Sequence, residues 1–351
     1  MKAYVLHGIG DLRFEDVPVP EIKDNEVLVE VKAAGICGSD IPRIYKTGAY
    51  SHPLIPGHEF SGIVVDAGRN TTVREGKRVG VFPLIPCGEC MPCKKKLYEM
   101  CRSYGYLGSR KDGGFAEYAA VPEKNLIELP DNVIYEEAAM LEPMSVAVHS
   151  VRRTAVRKEN SVVVCGLGTI GLMVIMILRM MGIENIYAVG NKDFQKKRAE
   201  RLGISGKFYC DAGRGGADEQ LADKLGGNGA DVFFECVGKN EVLNMAVNNT
   251  APGGKIMLVG NPYSDMSLDK AVYWKILRNQ LTITGTWNSS FTGEKSDDWH
   301  YVLEKLKEKS ISPSELISHK FNMREFEKGF RLMRDKSEDY VKIMWSKGNT
   351  E

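Results

Sequence analysis

Three glycines, Gly166, Gly168 and Gly171, stand in the pattern G-x-G-x-x-G between a short apolar run at 161–165 and a long apolar stretch at 169–181. On its own such a spacing is weak. At the exit of a strand and the mouth of a helix, however, bare backbone lets a pyrophosphate approach closely and meet the positive end of the helix. The text that follows keeps the same rhythm: strand-like runs at 185–189, 231–236, 255–259 and 281–286, and a charged helical stretch at 194–202. Alternating strand and helix predicts a doubly wound parallel sheet, an α/β Rossmann domain over about 151–290. Gly166, Gly168, Thr169, Ile170 and Gly171 are its expected dinucleotide-binding residues.

The second strand of such a sheet ordinarily ends in Asp or Glu, which bonds the adenosine ribose hydroxyl of NAD. Here Gly190 stands at that place, followed by Asn191 and Lys192, then Lys196, Lys197 and Arg198. A missing carboxylate and nearby cations suit a 2′-phosphate, so NADP is expected in preference to NAD, with Gly190, Asn191 and Lys192 at the ribose. Asp193 turning inward, or a plain turn with an exposed basic helix face, is the competing reading.

Residues 1–150 have a different texture, punctuated by Gly and Pro and carrying short runs such as 27–31 and 62–65, which predicts a β-rich lobe with long loops. After about residue 290 the chain is polar and helical, with a last strand-like run at 340–345. A length of 351 residues suits two domains meeting along a ligand cleft. The 47 basic and 46 acidic side chains leave a formal charge of +1, so no global field holds nucleic acid or an anionic membrane. No run reaches the roughly 18 apolar residues a spanning helix needs, and the beginning of the sequence has no apolar core leading to a cleavage site. The expectation is a cytoplasmic protein.

Four of the eight cysteines, Cys87, Cys90, Cys93 and Cys101, are spaced C-x2-C-x2-C-x7-C within residues 87–101. One short loop can wrap these thiolates around a tetrahedral zinc and close its coordination sphere, which makes the site structural. A ferredoxin-type cluster would bring the fourth cysteine after three residues and follow it with proline; Arg102 follows Cys101. Lys94, Lys95 and Lys96 offset the thiolate charge or belong to a solvated loop.

Cys37 and His58 are a second pair of soft ligands on two loops of the β-rich lobe. Glu59 adjoins His58, and Glu142 lies in the apolar helical stretch LEPMSVAVH, where an unpaired carboxylate is costly to bury. Cysteine, histidine and carboxylate with one coordination position open form the donor set of a catalytic zinc.

The segments CGSD, PGHEFSG, the four-cysteine loop, GSRKDGGFAEY and LEPMSVAVH follow one another in the order found in zinc-dependent medium-chain alcohol and polyol dehydrogenases, which the whole chain resembles. PRIYKTGAYSHPLIPGHEFSG, YGYLGSRKDGGFAEY and GTWNSS bring it nearest to the galactitol-phosphate branch. The resemblance implies a GroES-like β-rich catalytic domain (1–150), a Rossmann domain (151–290) and completion of the catalytic domain by 291–351. It implies two zinc ions per chain: a catalytic one held by Cys37, His58 and Glu142, with Glu59 an alternating ligand or a neighbouring base, and the structural one. Ser39 would pass the substrate proton outward; where the family often places a histidine shortly afterwards, this chain has Pro42.

The implied reaction is reversible oxidation of a secondary hydroxyl of a polyol or polyol phosphate. Arg43, Lys46, Arg110, Trp287 and Asn288 are the candidate substrate contacts, together with Tyr50 and Lys111. Arg43 or Arg110 is the cation for a phosphate, or else an ordinary surface ion pair. A homodimer or homotetramer is expected, the strand at 281–286 extending a sheet across a two-fold axis. The rivals are sorbitol, butanediol or threonine dehydrogenases, which share the metal ligands, and an NADPH-binding protein without a reactive metal, against which Cys37, His58 and Glu142 together argue.

Overall fold

The computed structural model describes residues 1–262 and 264–347, and the chain divides into two compact units, Met1–Ser145 with the residues from Ser289 onward, and Val146–Asn288. Strict alternation builds the first. In Glu26–Ile36, Val27, Val29 and Val31 are fully buried while the residues between them are only half-buried, the period of a strand with one face on a core. This strand is central to a seven-stranded sheet ordered Ile317–Phe321, Lys342–Ser346, Glu26–Ile36, Glu59–Ala67, Arg78–Val81, Leu126–Glu128, with Tyr118–Pro122 on its first half.

The C-terminal segment is integral to this unit. The Tyr4 hydroxyl donates to the Met323 carbonyl at 2.8 Å and accepts from the Glu327 amide at 3.0 Å. Phe115, Phe326 and Phe330 pack edge to face at centroid distances of 4.9–5.3 Å, each such contact contributing about 0.5–1.5 kcal/mol beyond its buried area.

The second unit is a six-stranded, all-parallel sheet ordered Tyr209–Asp211, Ile186–Gly190, Val162–Cys165, Ala230–Glu235, Thr250–Leu258, Thr282–Gly285. Val162–Cys165 is buried along its whole length, as a strand covered on both faces must be. The order reverses between Val162–Cys165 and Ala230–Glu235, and in sheets of this kind ligands bind beyond the carboxyl ends of the strands at that switch point. Tyr209–Asp211 has no counterpart among the strand-like runs of the sequence, because three residues are too few to display a period. Among the described residues no helix is long and apolar enough to cross a membrane.

Candidate active site

Register places the first cluster of donors. Gly35 pairs with Glu59 across the antiparallel strands, so Cys37, just past the end of one strand, comes beside His58, just before the start of the other. Donor atoms of Cys37, His58 and Glu59 all lie within 4.8 Å of one another. Asp40 organises them from beneath. Fully buried, it accepts from the Cys37 amide at 3.0 Å and from the Arg43 guanidinium at 2.6 Å, and its Oδ1 stands 3.5 Å from His58 Nδ1. Burial alone would raise the Asp40 pKa, but His58 and Arg43 outweigh it and hold the carboxylate below its usual range. Burial would likewise depress His58, yet Asp40 and Cys37 overcome it and push the imidazole well up. The same surroundings that hold a proton there suit a metal cation. His58 Nδ1 is buried without a hydrogen-bond partner, an arrangement that a metal or a proton shared with Asp40 resolves.

Glu59 has a partner that sequence reasoning missed. Lys342 Nζ, on the last strand, is ion-paired with Glu59 Oε2 and donates to the Ile36 carbonyl at 3.0 Å. Both side chains are about 2% exposed. Gly35 makes room for the pair, since a Cβ there would sit 2.5 Å from Glu59 Oε2 and 2.6 Å from Lys342 Cε. The signal in the sequence is a lone lysine inside the apolar run YVKIMW.

Glu142, at the start of the helix Leu141–Thr154, lies outside the trio of close donors. It accepts from the Tyr106 hydroxyl at 3.2 Å, and the Tyr106 ring packs edge-on against His58 at 5.7 Å. Burial, with Glu59 adding to it against His58 and Lys342, lifts the Glu142 carboxyl to about 7, and burial together with Glu142 drives the Tyr106 phenol well above its ordinary value. A buried carboxyl that titrates near neutrality is a ready ligand for a divalent cation. Tyr106 is a second residue that sequence reasoning left without a role. Ser39 is the half-buried residue preceding the short helix Asp40–Pro42 and makes no capping hydrogen bond with its side chain.

The second cluster is Cys87, Cys90, Cys93 and Cys101, with sulfurs 3.8 Å (Cys87–Cys93), 3.5 Å (Cys90–Cys93) and 3.9 Å (Cys90–Cys101) apart. Zinc–sulfur bonds of about 2.3 Å in a tetrahedron put sulfurs about 3.8 Å apart. All four thiols are free of disulfides, and the backbone amides of Cys87 and Cys90 point at the sulfurs of Cys101 and Cys87.

In the second unit the glycine loop divides its work. Gly166 has a φ of +98°, and a Cβ at Gly171 would meet the Gly166 carbonyl oxygen at 1.9 Å, so both are required for the helix Thr169–Met180 to pack on the turn. Gly168 has open space around it. Thr169 and Ile170 open the helix at the switch point of the sheet. Gly190 ends its strand, and a Cβ there would lie 2.8 Å from the Tyr209 hydroxyl and 2.9 Å from Leu167 Cδ1. The Asn191 amide donates to Gln195 Oε1 at 3.0 Å, and Lys192 Nζ lies 5.4 Å from the Phe194 ring centroid.

Residues 23–131 match the alcohol dehydrogenase GroES-like domain and residues 169–308 the zinc-binding dehydrogenase domain. Galactitol 1-phosphate 5-dehydrogenase of Escherichia coli is 32% identical over 333 residues, 94% of this chain and 96% of the relative. The chain belongs to the zinc-dependent medium-chain dehydrogenases. The crystal structure of galactitol-1-phosphate dehydrogenase from Escherichia coli matches this zinc-dependent dehydrogenase with a TM-score of 0.92 and 31% identity, covering 99% of this chain and 100% of that one. A zinc-binding dehydrogenase from Sinorhizobium meliloti 1021 bound to NADP matches with a TM-score of 0.90 and 26% identity over 99% of each chain. The fold is therefore a GroES-like domain with a Rossmann domain, and the protein is an oxidoreductase of zinc and a nicotinamide dinucleotide.

The candidate substrate contacts of this dehydrogenase fall in different settings. Arg43 is spent on Asp40. Lys46 is exposed on the turn Arg43–Thr47. Arg110 lies over the rings of both Tyr50 and Tyr104. Trp287, 57% exposed, and Asn288, with φ of +52°, close the second unit.

Proposed function

We propose that this dehydrogenase reversibly oxidises a secondary hydroxyl of a polyol or polyol phosphate, of the galactitol 1-phosphate to L-tagatose 6-phosphate type, with NADP as the preferred hydride acceptor. The carbon loses a hydride to the nicotinamide and the hydroxyl loses its proton, leaving a ketone and reduced cofactor. The observation that carries this reading is the gathering of half-buried Cys37 with buried His58 and Glu59, with Glu142 lifted to about 7 beside it. Bound there, zinc acts as a Lewis acid that makes an alcohol easier to deprotonate. Cys37, His58 and Glu142 would hold it. Asp40 orients His58, Lys342 holds Glu59 ready as an alternate ligand, and Ser39 carries the proton toward solvent. A second zinc in the four-cysteine loop would be structural.

Support for NADP comes from Gly190. A Cβ there would press on the Tyr209 hydroxyl, Leu167 Cδ1 and Gln195 Oε1, and glycine leaves the ribose without its usual carboxylate partner. For assembly, we read the edge strand Thr282–Gly285 and the exposed Tyr273, Trp274 and Leu277 of the helix Lys270–Arg278 as a surface for a second copy, giving a homodimer or a tetramer; gel filtration with light scattering tests it.

A panel of polyols, polyol phosphates and L-threonine, read by nicotinamide absorbance with NADP and NAD, tests the substrate reading. Turnover of hexitols or their phosphates supports it, and turnover of threonine alone refutes it.

A further inference from the structure

The structure assigns Arg110 a function for which its setting is unusually well prepared: we infer that it is the receptor for a phosphate monoester at the far end of an open-chain polyol substrate. The inference rests on the polyol-phosphate reading above and names the residue that enforces it.

Two cations were open candidates, and the structure separates them. The Arg43 guanidinium donates at 2.6 Å to a carboxylate that is wholly buried, and Asp40 needs that cation as compensation. The charge of Arg43 is therefore already paired before any ligand arrives. The guanidinium of Arg110 lies over two rings, its carbon 4.0 Å from the Tyr50 ring centroid and 4.6 Å from that of Tyr104. Among the described residues no carboxylate or carbonyl accepts from it. Contact with two rings holds the fork and leaves its N–H groups, which bind a phosphate bidentately, for an incoming anion. Much of the entropy of ordering a long side chain is thereby spent before the ligand arrives.

The backbone around Arg110 is fixed as well. The amides of Arg110 and Lys111 both donate to the Tyr106 carbonyl, at 2.9 and 3.1 Å, and the Gly108 amide donates to Lys111 at 2.7 Å. Tyr106 is the residue whose ring packs on His58 and whose hydroxyl holds Glu142. Tyr104 meets Tyr106 edge-on at 6.1 Å. A ladder of rings therefore runs from the metal donors to the arginine. On this inference the ladder sets the cation at one end of an open-chain substrate and the metal donors at the other. Tyr50 is 72% exposed, so the clamp opens to solvent and an anion can reach it.

The test compares galactitol 1-phosphate with galactitol in the zinc-loaded full chain, in wild type, Arg110→Gln and Arg110→Lys. A charge-assisted pair of this kind corresponds to roughly a ten- to hundredfold effect. Arg110→Gln is expected to cut the preference for the phosphorylated substrate by that factor, through KM rather than kcat, and to abolish competitive inhibition by inorganic phosphate. Arg110→Lys is expected to recover part of both. A wild-type preference that survives in Arg110→Gln, or a loss that falls equally on both substrates, overturns the assignment and leaves the polyol-phosphate reading intact. A wild-type enzyme that oxidises both substrates equally well overturns the assignment while polyol oxidation stands, and one that oxidises neither these nor any other hexitol or hexitol phosphate overturns the proposed function itself.

Discussion

Lys342 and Glu59, separated by 283 residues in sequence, form a buried ion pair that reaches into the cluster of Cys37, His58 and Glu59. Two such charges are stable in an apolar setting only together. Lys342→Met should leave the Glu59 carboxylate uncompensated and cost about 3–5 kcal/mol, measured by urea unfolding at fixed metal content. Adding Glu59→Gln should return a good part of that loss. Strictly additive effects would show that the two side chains are not coupled in the folded protein.

The tetrahedral spacing of the four sulfurs predicts that the loop is ordered by its ion. Cys93→Ser should lose one zinc per chain and lower the melting temperature, by about 2–4 °C for each kcal/mol forfeited in a unit of this size. Metal analysis paired with calorimetry reads both. An unchanged zinc count would refute the assignment.

Tyr4 gives the alkaline limb of stability a defined sign. Burial raises its pKa from 10.0 to about 12, so above pH 10 the unfolded chain releases the phenolic proton while the folded chain keeps it. Stability contributed by this group is thus intact below pH 10 and drains away as the pH climbs toward 12. Tyr4→Phe should lose about 1 kcal/mol at neutral pH, with the Glu327 amide deprived of its acceptor, and show a shallower decline above pH 10. Denaturant midpoints across that range check it.

The crowding around Gly190 bears on cofactor choice. Wild type is expected to favour NADP over NAD by tenfold or more in kcat/KM, roughly the weight of one charged hydrogen bond. Gly190→Asp alone should impair both cofactors instead of converting the enzyme to NAD, because its Cβ enters the space of Tyr209 and Leu167. A clean switch to NAD, or an NAD preference in wild type, would contradict this.

What the sequence made legible was whatever chemistry had written locally. Four cysteines within one loop and three glycines between a strand and a helix carry their meaning in their spacing. Cys37 and His58 carried it through their neighbours. The Lys342–Glu59 pair was invisible because nothing near either residue points to the other; it exists through the register of Lys342–Ser346 and Glu59–Ala67 on opposite sides of Glu26–Ile36. Tyr106 was hidden for a related reason, since a tyrosine in a glycine-rich loop looks like any surface aromatic until the fold brings Glu142 to its hydroxyl. The clamp of Tyr50 and Tyr104 on Arg110 is likewise a product of loops that meet only in three dimensions.

Zinc content of wild type and Cys37→Ser, measured alongside polyol oxidation and NADPH binding by fluorescence, tests the reactive metal centre most directly. Two zinc ions per wild-type chain are predicted, one fewer in Cys37→Ser, with oxidation lost and NADPH still bound. A wild-type chain holding a single zinc in its four-cysteine loop, or a Cys37→Ser chain that keeps both ions and its turnover, would contradict the account.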